Sequence, residues 1–159
     1  MSDTTGMSKI VKTMSAIIFP LILVFGLYVI AHGHITPGGG FQGGAIVASA
    51  LVMILVAFGS KWTVNYVKEK HLSILESIGA ISFIGLGFLG LIFGFVFFKN
   101  LFIGKGWFFD NIANGVTDIN TAGIIPLMNF AVGLKVIAGL FAIVLIMAYA
   151  TSKKKEDEA

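Results

Sequence analysis

Four side chains stand where this chain could do chemistry: Lys135, Glu76, His32 and His34. Lys135 interrupts a long apolar run. A lysine held out of water can exchange protons, form a fixed ion pair with a carboxylate on another subunit, or carry its ammonium to the surface along its stem. All three roles are open to it. Glu76 lies near the start of a different apolar run, where an acid suits a helix N-terminus. A solvated or helix-start role fits it better than transport. His32 and His34 close another apolar run. Imidazoles titrate near neutral pH and can relay protons. Relay or metal binding would call for a carboxylate or third ligand close by, and none is local. Fixing a turn by hydrogen bonding is the simpler role. The chain has no cysteine, which excludes disulfides and thiolate metal sites. No Ser/His/Asp, paired-carboxylate or cofactor motif is present, so no catalytic residue, metal or cofactor is expected.

These residues are carried by elements that belong in lipid. The 159 residues are 57% hydrophobic and only 12% charged. A soluble domain carries about 25% charged residues, so the missing polar surface must face a bilayer. A bilayer core of about 30 Å needs roughly 20 helical residues to cross it. Four stretches qualify, from about Met14 to Ala31, Gly40 to Gly59, Leu72 to Phe98 and Pro126 to Ala150. None alternates as a membrane β-strand would. The expected fold is an all-α membrane protein of four transmembrane helices, one membrane domain over the whole chain. Lys9 and Lys12 flank the first span. It is longer than a signal-peptide core and lacks a small-x-small cleavage site, so it is expected to be retained.

Lysine placement sets the expected orientation. Lys9, Lys12, Lys61, Lys68, Lys70, Lys153, Lys154 and Lys155 fall on one side of a four-span chain, against Lys99 and Lys105 on the other. The positive-inside rule puts both termini in the cytoplasm. That bias suits membrane orientation rather than nucleic-acid binding. The aromatic outer segment around Trp107, with Asp110 and Asp118, then meets headgroups, water or a partner. Lys135 lies roughly 8 to 15 Å inside the outer end of its span. Its face includes Ala131, Ala138, Gly139, Ala142 and Tyr149, so it is expected to point into protein. Glu76 shares a face with Gly79, Gly87, Gly90 and Gly94, which should be buried against a helix. Glu76 and Lys135 are placed toward opposite membrane faces, so Lys135 needs a partner elsewhere.

The most specific segment is Gly33-His34-Ile35-Thr36-Pro37-Gly38-Gly39-Gly40-Phe41-Gln42-Gly43-Gly44. Pro37 ends the first span. Gly38, Gly39 and Gly40 permit backbone angles closed to other residues. Gly39 with Gly43, and Gly40 with Gly44, are small-xxx-small steps that admit a close neighbour. The N–H groups at this helix start carry partial positive charge. A phosphate loop is excluded, because no Lys-Ser/Thr pair follows the glycines and no strand precedes them. Phe41 is expected to anchor the turn.

This segment, set between the first two of four spans, resembles the MnhB/MrpB family, and the likeness runs from about Met14 to Ala150. The resemblance implies a small membrane subunit of a multisubunit Mrp-type Na+/H+ antiporter, or of the related module in archaeal membrane-bound hydrogenases and ferredoxin-linked respiratory complexes. Its partners would be other hydrophobic subunits, the lipid bilayer, and Na+ and H+ at the level of the complex. Many antiporter members carry Asp-hydrophobic-Gly-Val in the fourth span. Here Asn129-Phe130-Ala131-Val132 stands instead, which looks more like the hydrogenase-associated branch.

A non-catalytic subunit is therefore expected; a small homo-oligomeric channel is the alternative, and an intramembrane enzyme lacks any visible cluster. The absence of cysteine makes the orientation directly testable. In intact cells an impermeant maleimide should label Lys105→Cys and spare Ser152→Cys, and the reverse pattern would invert the topology.

Overall fold

The computed structural model describes residues 6–35, 37–101 and 122–157. The chain forms helices α1 (Lys9–His32), α2 (Gly40–Phe58), α3 (Ser60–Tyr66), α4 (Glu69–Gly94) and α5 (Ile125–Asp157). Four of these, α1, α2, α4 and the Ile125–Lys154 part of α5, are long and apolar enough to cross a bilayer. Helices satisfy their own backbone polar groups, as lipid requires. The Ser8 side chain caps α1 by accepting from the Val11 N–H at 3.5 Å. Gly59, at φ +91°, separates α2 from α3. The lysine-rich connection between the second and third spans thus contains a short helix. It is held by Thr63, 3% exposed, whose hydroxyl donates to the Gly59 carbonyl at 3.0 Å.

The third span ends earlier than its apolar run. Phe95 and Phe98 adopt left-handed backbone angles, φ 57° and 58°, and the chain turns back on α4. The Phe98 N–H donates to the Gly87 carbonyl at 3.3 Å. A Cβ added at Gly87 would lie 2.9 Å from the Phe98 ring, and one at Gly90 2.6 Å from the Lys99 nitrogen. The face of Gly87, Gly90 and Gly94 is therefore covered by the chain's own return rather than by a neighbouring helix. Hydropathy registers the phenylalanines as apolar in either arrangement, so it carries the span through to Phe98. Asn100 then ties the end of α4 to the start of α5. Its Nδ2 donates to the Ala122 carbonyl at 2.9 Å and its Oδ1 accepts from the Ile124 N–H at 2.8 Å. Lys105, Trp107, Asp110 and Asp118 lie outside the described residues.

The spanning helices stand in a bent row, α1 against α2, α2 against α5, and α5 against α4, with a smaller contact of α1 on α5 through Ile30 and Gly133. Neighbouring contacts give their directions. Gly26 of α1 meets Val47 and Gly43 of α2 while Met7, before α1, donates to the Ala57 carbonyl at 3.0 Å, so α1 and α2 are antiparallel. Gly40 meets Asn129 and Gly44 meets Val136, so α2 and α5 are parallel. Gly79 meets Ala131 and Lys135 while Glu76 meets Gly139, so α4 and α5 are antiparallel. The start of α1, the α2–α4 connection and the end of α5 consequently share one end of the row. These are the three lysine-rich segments.

Close backbone approach holds the row together. Gly43 is in contact with α1, where an added Cβ would lie 2.5 Å from Ile30 Cγ1 and 2.8 Å from the Gly26 carbonyl. At the lysine-rich end Leu55, Leu72, Phe141 and Leu145 form a buried cluster joining α2, α4 and α5. Gly85, by contrast, has no described residue within 4 Å of the position its Cβ would take. Overpacking a tight contact costs about 1–3 kcal/mol. Gly43→Leu should therefore lower the apparent Tm of the detergent-solubilised chain, while Gly85→Leu should leave it unchanged or raise it.

Candidate functional site

The glycine turn closes around one polar side chain. Asn129 sits on the first turns of α5. Its Nδ2 lies 2.9 Å from the position of a Cβ on Gly33, and its Oδ1 lies 3.6 Å from that position on Gly39. A Cβ on Gly40 would collide with the Asn129 carbonyl oxygen and approach the Gly133 nitrogen at 2.9 Å. Gly33 and Gly39 also press on each other, with an added Cβ on Gly33 falling 2.5 Å from the Gly39 Cα. Gly38, at φ +148°, supplies the backbone angle that turns the chain. The two small-xxx-small steps serve different neighbours. Gly43 faces α1, whereas Gly40 and Gly44 face Asn129, Gly133 and Val136 of α5. Pro37 is exposed at the outside of the turn.

The histidines flank this cradle. His32 is half-buried and stacks on Tyr28, ring centres 4.1 Å apart at 26°. Both ring nitrogens of His34, and Nδ2 of Asn129, are buried with no hydrogen-bond partner among the described residues. Buried polar atoms of this kind are normally paired by protein or ordered water. Phe41 does not anchor the turn within this chain, for it is 60% exposed. Gly40, Gly43 and Gly44 occupy the packed faces of α2, and Phe41 falls on the side between them that faces outward.

Lys135 and Glu76 are closer in depth than their distances from the span ends suggest. A Cβ on Gly79 would lie 2.8 Å from the Lys135 nitrogen and 3.0 Å from its Cβ, and one on Gly139 would lie 3.6 Å from the Glu76 carboxyl group. Glu76 precedes Gly79 by three residues and Gly139 follows Lys135 by four, so the two charges differ by about one turn of antiparallel helices. The expectation of opposite membrane faces is corrected by this packing. The α4 and α5 helices overlap far from their ends, which positions counted from span boundaries do not reveal. Lys135 also does not point into this chain. Its backbone packs on Gly79, but its side chain is exposed, and Glu76 is half-buried. Neither side chain forms a hydrogen bond or ion pair with another described residue. Cα–Cβ bonds tilt toward the N-terminus of their own helix. On antiparallel α4 and α5 the two side chains therefore start in opposite directions, Glu76 toward the lysine-rich end and Lys135 away from it.

Residues 10–154 match the family model described as a domain related to the MnhB subunit of Na+/H+ antiporter. The chain belongs to the MnhB family. It is a multi-pass protein of the cell membrane. It is 32% identical to a Na+/H+ antiporter subunit of Bacillus subtilis over 127 residues, 80% of this chain and 85% of that one. It is 40% identical over 133 residues to an uncharacterized protein of Methanocaldococcus jannaschii, covering 84% of this chain and 49% of that protein. The MnhB chain thus spans about half the length of that relative. Among solved structures, a chain of the membrane-bound sulfane sulfur reductase, an archaeal respiratory membrane complex, superposes with a TM-score of 0.73 at 31% identity. That match covers 93% of this chain and 60% of the other.

The residue that sequence reasoning undervalues is Asn129, which stands out there only as a departure from a family pattern. An amide three residues after Pro126 in an apolar run is the available signal. Gly26 and Gly133, which receive Val47 and Ile30, have no distinguishing signal among so many glycines. The cradle makes a sharp prediction within one glycine run. Gly40→Ala should lower the apparent Tm of the MnhB chain, by an overpacking cost of about 1–3 kcal/mol. Gly39→Ala meets only ordinary contacts at 3.6 Å and should leave the Tm unchanged or slightly raised.

Proposed function

We propose that this chain is a non-catalytic membrane subunit of a multisubunit Na+/H+ antiporter, or of the antiporter-like module of a redox-driven respiratory or hydrogenase complex. The observation that carries this reading is the glycine turn closed on Asn129, within a family match over residues 10–154. The likeness to an antiporter subunit and to a chain of a respiratory membrane complex supports both settings. The homo-oligomeric channel gains no support from these comparisons.

The row of helices bears on what the subunit contributes. Helix α1 touches both α2 and α5, whereas α4 packs principally on α5, so the four described spans do not close around a central path. Ions moved by such an assembly would pass where this chain meets others, with Lys135, Glu76, His32 and His34 as the side chains through which it would take part. Its first contribution is to assembly. The lysine distribution supports both termini in the cytoplasm.

Mild detergent extraction of the tagged chain from its own membranes, followed by native mass spectrometry, tests the reading. Several other hydrophobic chains should accompany it at fixed stoichiometry. Recovery as a single chain that transports Na+ or H+ fully after reconstitution would overturn it.

A further inference from the structure

A groove of about 630 Å3 runs between α4 and α5 on the side of Lys135 that leads toward the glycine turn. Ser82, Gly85 and Leu86 line one wall, and Leu127, Ala131 and Leu134 line the other. Lys135 follows Ala131 by one turn on the same stripe of α5, so it stands at the inner end of this groove. The tilt of its Cα–Cβ bond directs the side chain toward the groove and away from Glu76.

Two features of this surface have no use among the described residues. Gly85 is a mid-helix glycine whose missing side chain makes room for no described residue within 4 Å. The other spanning-helix glycines among the described residues each receive a neighbour there. Such a glycine weakens a helix relative to alanine. Lys135 is an exposed charge and the one ionisable residue between Ile125 and Ala148. It lies ten residues, about 15 Å, inside the start of α5. An unpaired ammonium at that depth is expensive, and intramembrane charges pair or line wet cavities.

We infer that this groove seats a transmembrane helix of a neighbouring subunit whose Asp or Glu side chain pairs with Lys135. Charge complementarity selects this occupant. Lipid headgroups carry their anions at the membrane surface, beyond the reach of a lysine so far from either end of α5. A second copy of the chain, docked two-fold on the same groove, would bring lysine against lysine. A helix bearing an acid supplies the missing charge, and Gly85 with Ser82 and Ala131 lets its backbone approach closely. The inference rests on the subunit reading above and names one interface within it.

The test uses the complete assembly purified from its own membranes. A photo-crosslinking amino acid at Ser82 should join the chain to an apolar peptide of another subunit that carries Asp or Glu within about one turn of the attachment point. Lys135→Glu should reduce the co-purified subunits about ten-fold or more, since it opposes like charges in a desolvated contact. Lys135→Arg should retain them. Gly85→Phe should abolish the crosslink without lowering the Tm of the isolated chain. Crosslinks to lipid alone, to a second copy, or to a helix without an acid would overturn the inference, as would normal assembly of Lys135→Glu. In those cases the other subunits would still co-purify and the subunit reading would stand. Failure of any subunit to co-purify would defeat that reading itself, and the inference with it.

Discussion

Away from the lysine-rich end, helix α5 approaches α2 and α4 so closely that backbone meets backbone, and the rest of the structure depends on those two contacts. Gly40, Gly44 and Gly133 meet on one side, and Gly79 receives the Lys135 backbone on the other. In a bilayer, hydrophobic burial does not favour one helix contact over another, because lipid tails are as apolar as leucine. Association then rests on van der Waals packing, which is strongest where no side chain holds the helices apart. Because α2 and α4 do not share a principal seam, α5 is the wall on which both lean. The cluster of Leu55, Leu72, Phe141 and Leu145 closes the lysine-rich end of the same arrangement.

The glycine turn is a consequence of that wall. If α2 is to start beside Asn129 with its backbone against Gly133, no residue at 40 can carry a Cβ. The chain arriving from α1 must then pass Asn129 within reach of its amide, which leaves Gly33 and Gly39 no room to separate. A polar side chain is thereby enclosed where two helices begin and one ends. The motif is first a packing solution, and its polar contents, Asn129 and the His34 ring, follow from it.

The outer part of α4 follows a different rule. Its glycines from Gly87 onward accept the chain's own return through Phe98 and Lys99, so that end of the helix is completed locally. What remains outward is the groove beside Lys135. The charged residues of the spans are thus not gathered into one internal site. They stand on a seam with a face toward whatever lies beside the chain.

Composition and apolar run length by themselves determined that the chain is a four-span helical membrane protein, because lipid admits so few backbone solutions. The Pro37–Gly44 segment determined the family and the place of the turn, since few residues other than glycine tolerate those angles and contacts. Tertiary structure alone decided which neighbour each glycine serves, that Phe41 faces outward, and that Glu76 and Lys135 lie about one turn apart yet point away from each other. It also decided that the third apolar run divides into a helix and a return. The reason is common to all of these: hydropathy reports how much of a segment avoids water, whereas depth overlap and direction are set by how two helices cross, and that crossing is a property of the pair.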